Sequence, residues 1–264
     1  SYGANESLTC FAPWDHRWHK GLWWSWKYIN DVLFWEDHAG DGGEVGESRV
    51  VAHEQREAAD GCIVVTERLE MRSVQRGTLL LSEDCELRLH PSVPGITGGW
   101  ALDWRLSSIA ETDCLLRATP YPEIAWGGYA GLNFRPTRAM GWGETIVNSA
   151  GQTGSAACHG QAARWAAYAG NIDGNEHDSA EAPAQASVAI LDHPGNLRHP
   201  TDFYAWSVGE DNRGFGFLAA SPLMHAPLRL AKGTLLPLRY RVILLDGQPD
   251  PAALAQAWAE FAAS

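Results

Sequence analysis

The sequence predicts an all-β fold, an antiparallel β-sandwich of the supersandwich or jelly-roll type with a short C-terminal helix. Short apolar runs with period-two alternation recur through most of the chain, as is typical of half-buried strands. Turn-forming pairs such as Asp60-Gly61 and Pro194-Gly195 separate these runs. Helical segments do not alternate with the runs, which argues against a parallel α/β arrangement.

The predicted strands follow one another without an internal repeat or a low-complexity linker. Residues 1–264 are therefore expected to form a single β-sandwich domain. The polar segment 171–185 is expected to be a long surface loop. Strands are predicted at 62–71, 78–90, 101–109, 113–118, 129–135, 162–169, 186–192, 202–208, 214–220 and 234–246.

A helix is predicted near the C-terminal end. Asp250 is a suitable N-cap residue, and Pro251 suits the first helical position. Leu254, Trp258 and Phe261 recur at i, i+4 and i+7. This apolar stripe is expected to pack on the body of the protein.

Charge and composition limit the partners. The 264-residue chain has a formal net charge of −12 at pH 7, whereas nucleic-acid binding needs a basic face. No apolar run approaches the roughly 18 residues of a transmembrane helix, so a membrane partner is not expected. Five dispersed cysteines without a CxxC pair predict free thiols in a reducing compartment, hence a cytoplasmic location. A homo-oligomer is left open by the sequence.

The stretch 11–38 contains six of the thirteen tryptophans, interspersed with histidines and carboxylates. Aromatic rings can cover the apolar C–H face of a sugar while polar groups bind its hydroxyls. The expected partner is therefore a small-molecule or oligosaccharide substrate. Strand alternation in the sequence LWWSWKY places Trp24 and Trp26 on one face, and we expect that face to line the pocket.

Within this stretch, His16 and His19 are three residues apart and can converge in a turn. Such a pair suits proton transfer or, with a third ligand, a divalent metal. Glu36 is the nearby carboxylate that could act with them as a catalytic acid or base. Histidines that serve only as hydrogen-bonding groups at the entry of a strand are the competing interpretation.

Two further motifs carry candidate site residues. In GLNFR, Asn133 and Arg135 alternate on one face of a predicted strand and could bind substrate oxygens. In LDHPGNLRHP, Asp192 and Asn196 are candidate substrate ligands and His193 is a candidate catalytic group. A salt bridge in the first motif and ordinary turn chemistry in the second are the alternatives.

These motifs, DHRWHKGLWWSW, NDVLFWE, GLNFR, ARWAAYAG and LDHPGNLRHP, together resemble the PmoA-like family of soluble bacterial proteins. The resemblance runs from roughly residue 13 to residue 258, with Lys20 and Ala130 standing where Arg and Gly are usual. It implies a β-sandwich whose activity is undefined, and an association with carbohydrate catabolism. Methane oxidation is not expected, because the membrane subunit to which that label belongs spans the bilayer.

The leading hypothesis is a carbohydrate-active enzyme, a hydrolase or lyase, that cleaves or rearranges a glycoside or an oxidised sugar. His16, His19, His193 and Glu36 would supply the acid and base groups. Three alternatives stay open: a mutarotase-like sugar epimerase, a non-catalytic carbohydrate-binding protein, and a metal oxygenase ligated by His16 and His19. The sequence contains no P-loop, no G-x-S-x-G elbow and no H-E-x-x-H helix, which argues against phosphoryl transfer and serine-nucleophile hydrolysis.

Overall fold

The computed structural model describes residues 7–141, 144–172, 184–208 and 214–264. Strands dominate this part of the chain, and most of them are short. They are β1 (Leu22–Ser25), β2 (Tyr28–Ile29), β3 (Val32–Leu33), β4 (Gly46–Glu57), β5 (Ile63–Ser73), β6 (Leu79–His90), β7 (Trp100–Ala110), β8 (Cys114–Arg117), β9 (Gly131–Phe134), β10 (Thr145–Asn148), β11 (Gln161–Ala162), β12 (Trp165–Asn171), β13 (Gln185–Asp192), β14 (Asp202–Val208), β15 (Phe215–Ala220), β16 (Leu228–Leu230) and β17 (Leu235–Asp246). The α-helices are α1 (Ser155–Cys158) and α2 (Pro251–Ala262).

The strands form three sheets with antiparallel pairing. An eight-stranded sheet has the order β10-β12-β13-β17-β7-β6-β5-β4, and a five-stranded sheet has the order β1-β9-β15-β14-β11. A small four-stranded sheet, β16-β8-β2-β3, lies beside them. The fold is therefore all-β and sandwich-like, as the sequence predicts.

The main hydrophobic core lies between the two large sheets. Leu132 and Phe134 of β9 and Leu218 of β15 meet Tyr168 of β12 and Val242 of β17 in one buried cluster. Each of these five side chains is 1% exposed or less, so the sheets pack as two layers of a sandwich.

Because successive side chains in a strand point to opposite faces, the neighbours of these core residues point away from the core. On β14, Phe203 and Ala205 face the core cluster, whereas Tyr204 belongs to a second aromatic cluster. On β15, Phe217 likewise belongs to that second cluster. The five-stranded sheet thus has one face in the core and one face that carries aromatic side chains outward.

The helix α2 covers the outer face of the eight-stranded sheet, and the predicted capping is confirmed. The Asp250 side chain accepts a hydrogen bond from the Ala252 amide at 2.9 Å, with Pro251 at the first helical position. Leu254 and Phe261 are buried against β13 and β17 residues in a third cluster. Trp258 is half-buried beside it and donates from Nε1 to the Asp192 carbonyl at 2.8 Å.

Each strand range predicted from the sequence overlaps an observed strand, and the structure adds several others. The longest addition is β4, whose twelve residues GESRVVAHEQRE are mostly exposed at the edge of the eight-stranded sheet. An exposed edge strand needs no apolar alternation, so no period-two pattern marks it in the sequence. Of the predicted loop 171–185, residues 173–183 lie outside the described part.

The structure also shows the state of the cysteines and the character of the helices. All five cysteines lie in the described part of the chain, and each is a free thiol. Among the helices of that part, none has the length and apolar character needed to cross a membrane.

The packing of α2 generates a prediction. Leu254→Ala should lower the free energy of unfolding by about 2–5 kcal/mol, because it removes a fully buried side chain from the contact between helix and sheet. The exposed substitution Gln256→Ala on the same helix should change it by less than about 0.5 kcal/mol. Denaturant unfolding of both variants measures the difference; equal stabilities would contradict the assigned packing of the helix.

Candidate functional site

A cavity of about 470 Å³ lies on the outer face of the five-stranded sheet. Its walls are largely aromatic, with titratable groups along one side, as in many small-molecule sites. The lining residues are Asp15, His16, Trp18, His19, Glu36, Trp126, Tyr129, Tyr204, Trp206, Phe215 and Phe217.

Strand alternation builds the floor of this cavity. Tyr204 and Trp206 are two residues apart on β14, and Phe215 and Phe217 are two apart on β15. Trp206 and Phe217 are direct cross-strand partners. The four rings therefore project from the same face of the sheet, opposite the main core.

The segment 11–20 brings the two predicted histidines into the cavity wall. A bridge between Phe11 and Lys20 closes the segment at its ends. Inside it, the His16 amide donates to the Pro13 carbonyl at 3.0 Å and the His19 amide donates to the His16 carbonyl at 2.9 Å. These turns place the two imidazole centroids 4.8 Å apart.

His19 is the more buried of the pair, at 5% exposure. Its ring packs against Trp23 at 5.1 Å and Phe217 at 5.2 Å between centroids. Burial, assisted by the neighbouring His16 and by the positive charges of Arg135 and Lys27, lowers the pKa of His19 to about 2. His19 is therefore neutral at physiological pH, and its Nδ1 has no hydrogen-bond partner among the described residues.

His16 is held beside Asp15, with His16 Nδ1 and Asp15 Oδ2 3.5 Å apart. Burial is the largest influence on His16 and lowers its pKa, although Asp15 opposes the shift. Arg138 donates from Nη2 to Asp15 Oδ2 at 3.0 Å. Burial raises the pKa of Asp15, but a backbone hydrogen bond and the neighbouring His16 and Arg138 outweigh it, so the net direction is downward. The site thus combines a neutral imidazole with an ionised carboxylate.

On another part of the wall, Lys27 is a buried lysine at 1% exposure. Its Nζ forms an ion pair with Glu36 and donates to the Tyr129 hydroxyl at 2.8 Å. Burial lowers the pKa of Lys27, while Glu36 opposes that shift. Burial also raises the pKa of Tyr129, so this phenol keeps its proton. The second carboxyl oxygen of Glu36 has no partner within the described residues and remains available as an acceptor.

Asn133 and Arg135 lie on the cavity face of the five-stranded sheet, as their alternation predicts. Asn133 is buried and donates from Nδ2 to the carbonyls of Gly131 at 2.5 Å and Trp23 at 3.3 Å. Arg135 is 1% exposed, and its guanidinium carbon lies 3.7 Å from the centroid of Phe215. Neither residue lines the cavity directly, so both stand behind its wall.

The placement of Trp24 and Trp26 differs from our expectation. They do share one face, but that face is the main core, where Trp26 is 1% exposed and Trp24 lies 5.8 Å from Tyr240 between ring centroids. Trp23, on the opposite face of β1, packs behind His19 instead. The period-two pattern identified two faces, but tryptophan is equally suited to a core and to a pocket.

The motif 191–200 lies apart from the cavity wall and supports the turn that leads from β13 to β14. The Asn196 side chain donates to Asp192 Oδ1 at 2.7 Å and accepts from the Arg239 amide at 2.7 Å. The His193 ring packs on Phe261 of α2, 5.2 Å between centroids. None of Asp192, His193 and Asn196 lines the cavity, contrary to the expected convergence of the three motifs.

The described residues do not provide a complete ligand set for the metal ion that was considered at His16 and His19. His16 and His19 are close to each other, but in the described ranges no three His, Cys, Asp or Glu side chains are grouped so that they could hold a metal ion. A protein-bound zinc or iron site usually needs at least three such ligands.

Several cavity residues were missed by the sequence reasoning. Lys27 lies in the LWWSWKY run and Tyr129 opens the predicted strand 129–135, but neither was assigned to the site. The aromatic floor of β14 and β15 has the pattern of an ordinary strand pair. The signal that could have been used is the alternation in YAW (204–206) and FGF (215–217), where two large aromatic residues on one face enclose a small residue on the other.

The buried neutral state of His19 predicts how stability depends on pH. Its pKa in the folded protein, about 2, is below the value of 6.5 expected when unfolded, so its contribution is complete above pH 6.5 and is lost on acidification. Below pH 6.5 the free energy of unfolding should fall by up to about 1.4 kcal/mol per pH unit from this residue. His19→Gln should flatten that slope and the exposed His38→Gln should not, in unfolding curves measured at pH 7.0, 6.0 and 5.0. An unchanged slope in His19→Gln would contradict the assignment.

Comparison with known proteins identifies a family for this chain but does not identify an activity. No curated protein matches the chain. A family model described as "Family of unknown function (DUF6807)" matches residues 3–259, nearly the whole sequence. The resemblance to PmoA-like proteins is untested by this match and stays a prediction. The chain belongs to the family of unknown function DUF6807.

Proposed function

We propose that the protein is a carbohydrate-active enzyme whose cavity binds a sugar, and that His16 removes a proton from a carbon next to a carbonyl group of that sugar. The observation that carries the proposal is a neutral imidazole pair set into an aromatic wall beside an ionised carboxylate. A general base works best when it is unprotonated at the working pH and oriented by a neighbour. Asp15 Oδ2 lies 3.5 Å from His16 Nδ1 and can supply that orientation when the contact tightens to a hydrogen bond in the substrate complex.

Besides a base, the reaction needs a group that stabilises the oxygen on which negative charge develops. Tyr129 lines the same cavity and keeps its proton, and the Lys27 ammonium donates to its hydroxyl oxygen at 2.8 Å. The Tyr129 hydroxyl can donate to the substrate oxygen while Lys27 supports it from behind. The electron pair of the broken C–H bond then moves into an enol or enolate. A leaving group on the next carbon would depart in elimination; return of the proton to the other face would give epimerisation.

Hydrolysis by a carboxylate pair is less well supported. It requires one carboxyl group as acid and a second as base or nucleophile. Asp15 is bound by Arg138, and Glu36 is paired with Lys27. Both carboxylates are thus held by cations, so neither is free for the two-carboxyl arrangement that hydrolysis needs. Glu36 is better suited to accept a sugar hydroxyl with its unpaired oxygen.

Non-catalytic carbohydrate binding is the second candidate, and the aromatic walls favour it as well. Trp126 lines the cavity and is 54% exposed, a suitable stacking platform for a sugar ring. The two functions differ in their dependence on His16. The cytoplasmic location stays a prediction that rests on the dispersed cysteines.

The test of the proposed base is hydrogen–deuterium exchange. In deuterated buffer, the protein should exchange a C–H proton in at least one member of a panel of glycosides, 3-keto-glycosides and uronides, detected by mass spectrometry and NMR. His16→Asn should slow that exchange by about 10²- to 10⁴-fold, the usual contribution of a general base. His53→Asn, at an exposed histidine of β4, is the matched control and should exchange normally. Binding that persists without exchange in the wild type would leave the carbohydrate-binding function in its place.

A second prediction concerns the aromatic wall. Trp126→Ala should weaken sugar binding by about 1–2 kcal/mol, since it removes one stacking surface, while stability should change little because the side chain is mostly exposed. Trp100→Ala, a substitution of a partly exposed tryptophan on β7 outside this cavity, serves as the control. Calorimetric titration of the best ligand from the exchange panel measures both. Equal affinities in the two variants would contradict a stacking role for Trp126.

A further inference from the structure

Among the residues that the structure describes, the charges around the cavity do not balance. Three cations, Lys27, Arg135 and Arg138, lie at the wall or directly behind it, together with the two carboxylates Asp15 and Glu36. Lys27 pairs with Glu36, and Arg138 pairs with Asp15. Both histidines are neutral, so the remaining guanidinium of Arg135 is in excess. This local excess of positive charge occurs in a chain whose net charge is −12.

Arg135 is also unsatisfied in its hydrogen bonds. Its Nη1 and Nη2 atoms are buried and have no hydrogen-bond acceptor in the part of the chain that the structure describes. Leaving such donors unpaired costs a buried charged group free energy, so a buried arginine normally has a carboxylate or carbonyl acceptor. Two adjacent free N–H donors form the fork that a carboxylate matches.

The position of Arg135 ties this fork to the cavity. Arg135 directly follows β9, whose Phe134 pairs with Leu218 of β15, so Arg135 lies beside Phe217 on the cavity face of the sheet. The Phe215 ring stacks on the guanidinium at 3.7 Å and is itself part of the cavity lining. The Phe215 side chain thus separates the open cavity from the buried Arg135 guanidinium.

We propose that the substrate is a carboxylated sugar, a uronate or a related sugar acid, and that Arg135 receives its carboxylate when the Phe215 side chain turns aside. This inference rests on the proposed function and names its substrate class. The carboxylate supplies the carbonyl group next to which His16 removes the proton. That proton is weakly acidic while the carboxylate is fully charged. Pairing with Arg135 neutralises the carboxylate charge, and this makes the proton easier to remove. The electron pair moves into the carboxylate, and Arg135 then holds the enolate oxygens in the role that Tyr129 has toward a neutral carbonyl substrate. The proton passes to His16.

The test compares sugar acids with the neutral sugars that differ from them in the carboxyl group. The pairs are glucuronate with glucose, galacturonate with galactose, and mannuronate with mannose, each also as the methyl glycoside. Thermal shift and calorimetry on the full chain should find at least one acid that binds about ten- to a hundredfold more tightly than its neutral partner, the range of a charge-assisted hydrogen-bonded pair. A neutral sugar that binds as tightly as its acid, or a panel in which no acid binds, would overturn the inference.

Variants of Arg135 assign the effect to this residue. Arg135→Gln should remove the preference for the acid, and Arg135→Lys should restore part of it, because lysine keeps the charge but loses the fork. Arg117→Gln, which removes a surface arginine paired with Asp31, is the control and should keep the full preference. An acid preference that survives in a folded Arg135→Gln would overturn the role of Arg135. If Arg135→Gln does not fold, the wild-type comparison of acid and neutral sugars decides the substrate class.

The outcome separates this inference from the proposed function. If neutral 3-keto-glycosides exchange their protons in a manner dependent on His16 while no sugar acid binds, the acid–base function stands and the acidic substrate fails. If neither class of sugar binds or exchanges, both fail.

Discussion

The site depends on the alternation of side chains across the five-stranded sheet. In β14 and β15, core residues alternate with residues that line the cavity, so the same backbone holds the sandwich together and forms the cavity floor. A slip of one residue in β14 would exchange Phe203 and Ala205 for Tyr204 and Trp206 in the core. Because the core fixes this register, the backbone beneath the aromatic floor is held in place, although a floor side chain such as Phe215 can still turn. The segment 11–20 therefore places its groups above a fixed pair of strands.

Positive charges and burial set the protonation states of the histidines above this floor. An imidazole in water is partly protonated near neutral pH. Here, desolvation removes the charged form of His19, and the nearby Arg135 and Lys27 act in the same direction. The cations also keep Asp15 and Glu36 engaged. The result is a site in which the carboxylates are paired acceptors and the histidines are unprotonated bases, a division of roles that a list of residues cannot show.

The extent to which the sequence predicted the molecule differs between fold and site. The strands and the capped helix follow from local rules, namely apolar alternation, turn residues and the Asp250-Pro251 pair. His16, His19 and Glu36 were placed together correctly because they are neighbours in one segment. Lys27 and Tyr129 could not be found, since their contact spans 102 positions and depends on tertiary packing. The two faces of β1 were separated correctly, but which face met the core depended on the opposing sheet.

The motif 191–200 and the residues around the cavity differ in how many of their buried polar atoms form hydrogen bonds. In the motif 191–200, Asp192 receives donors from Asn196, His199 and the Thr201 amide, all within 2.9 Å, and is completely buried. Among the described residues, the motif 191–200 leaves one buried side-chain atom unpaired, His193 Nε2, whereas six are unpaired around the cavity: Asp15 Oδ1, His16 Nδ1, His19 Nδ1, Glu36 Oε2 and both terminal nitrogens of Arg135. A folded protein does not gain stability from such atoms, because each costs free energy until a partner is found. The described part of the fold supplies no partners for these atoms around the cavity, whereas a ligand with several oxygen atoms, one of them charged, would supply them.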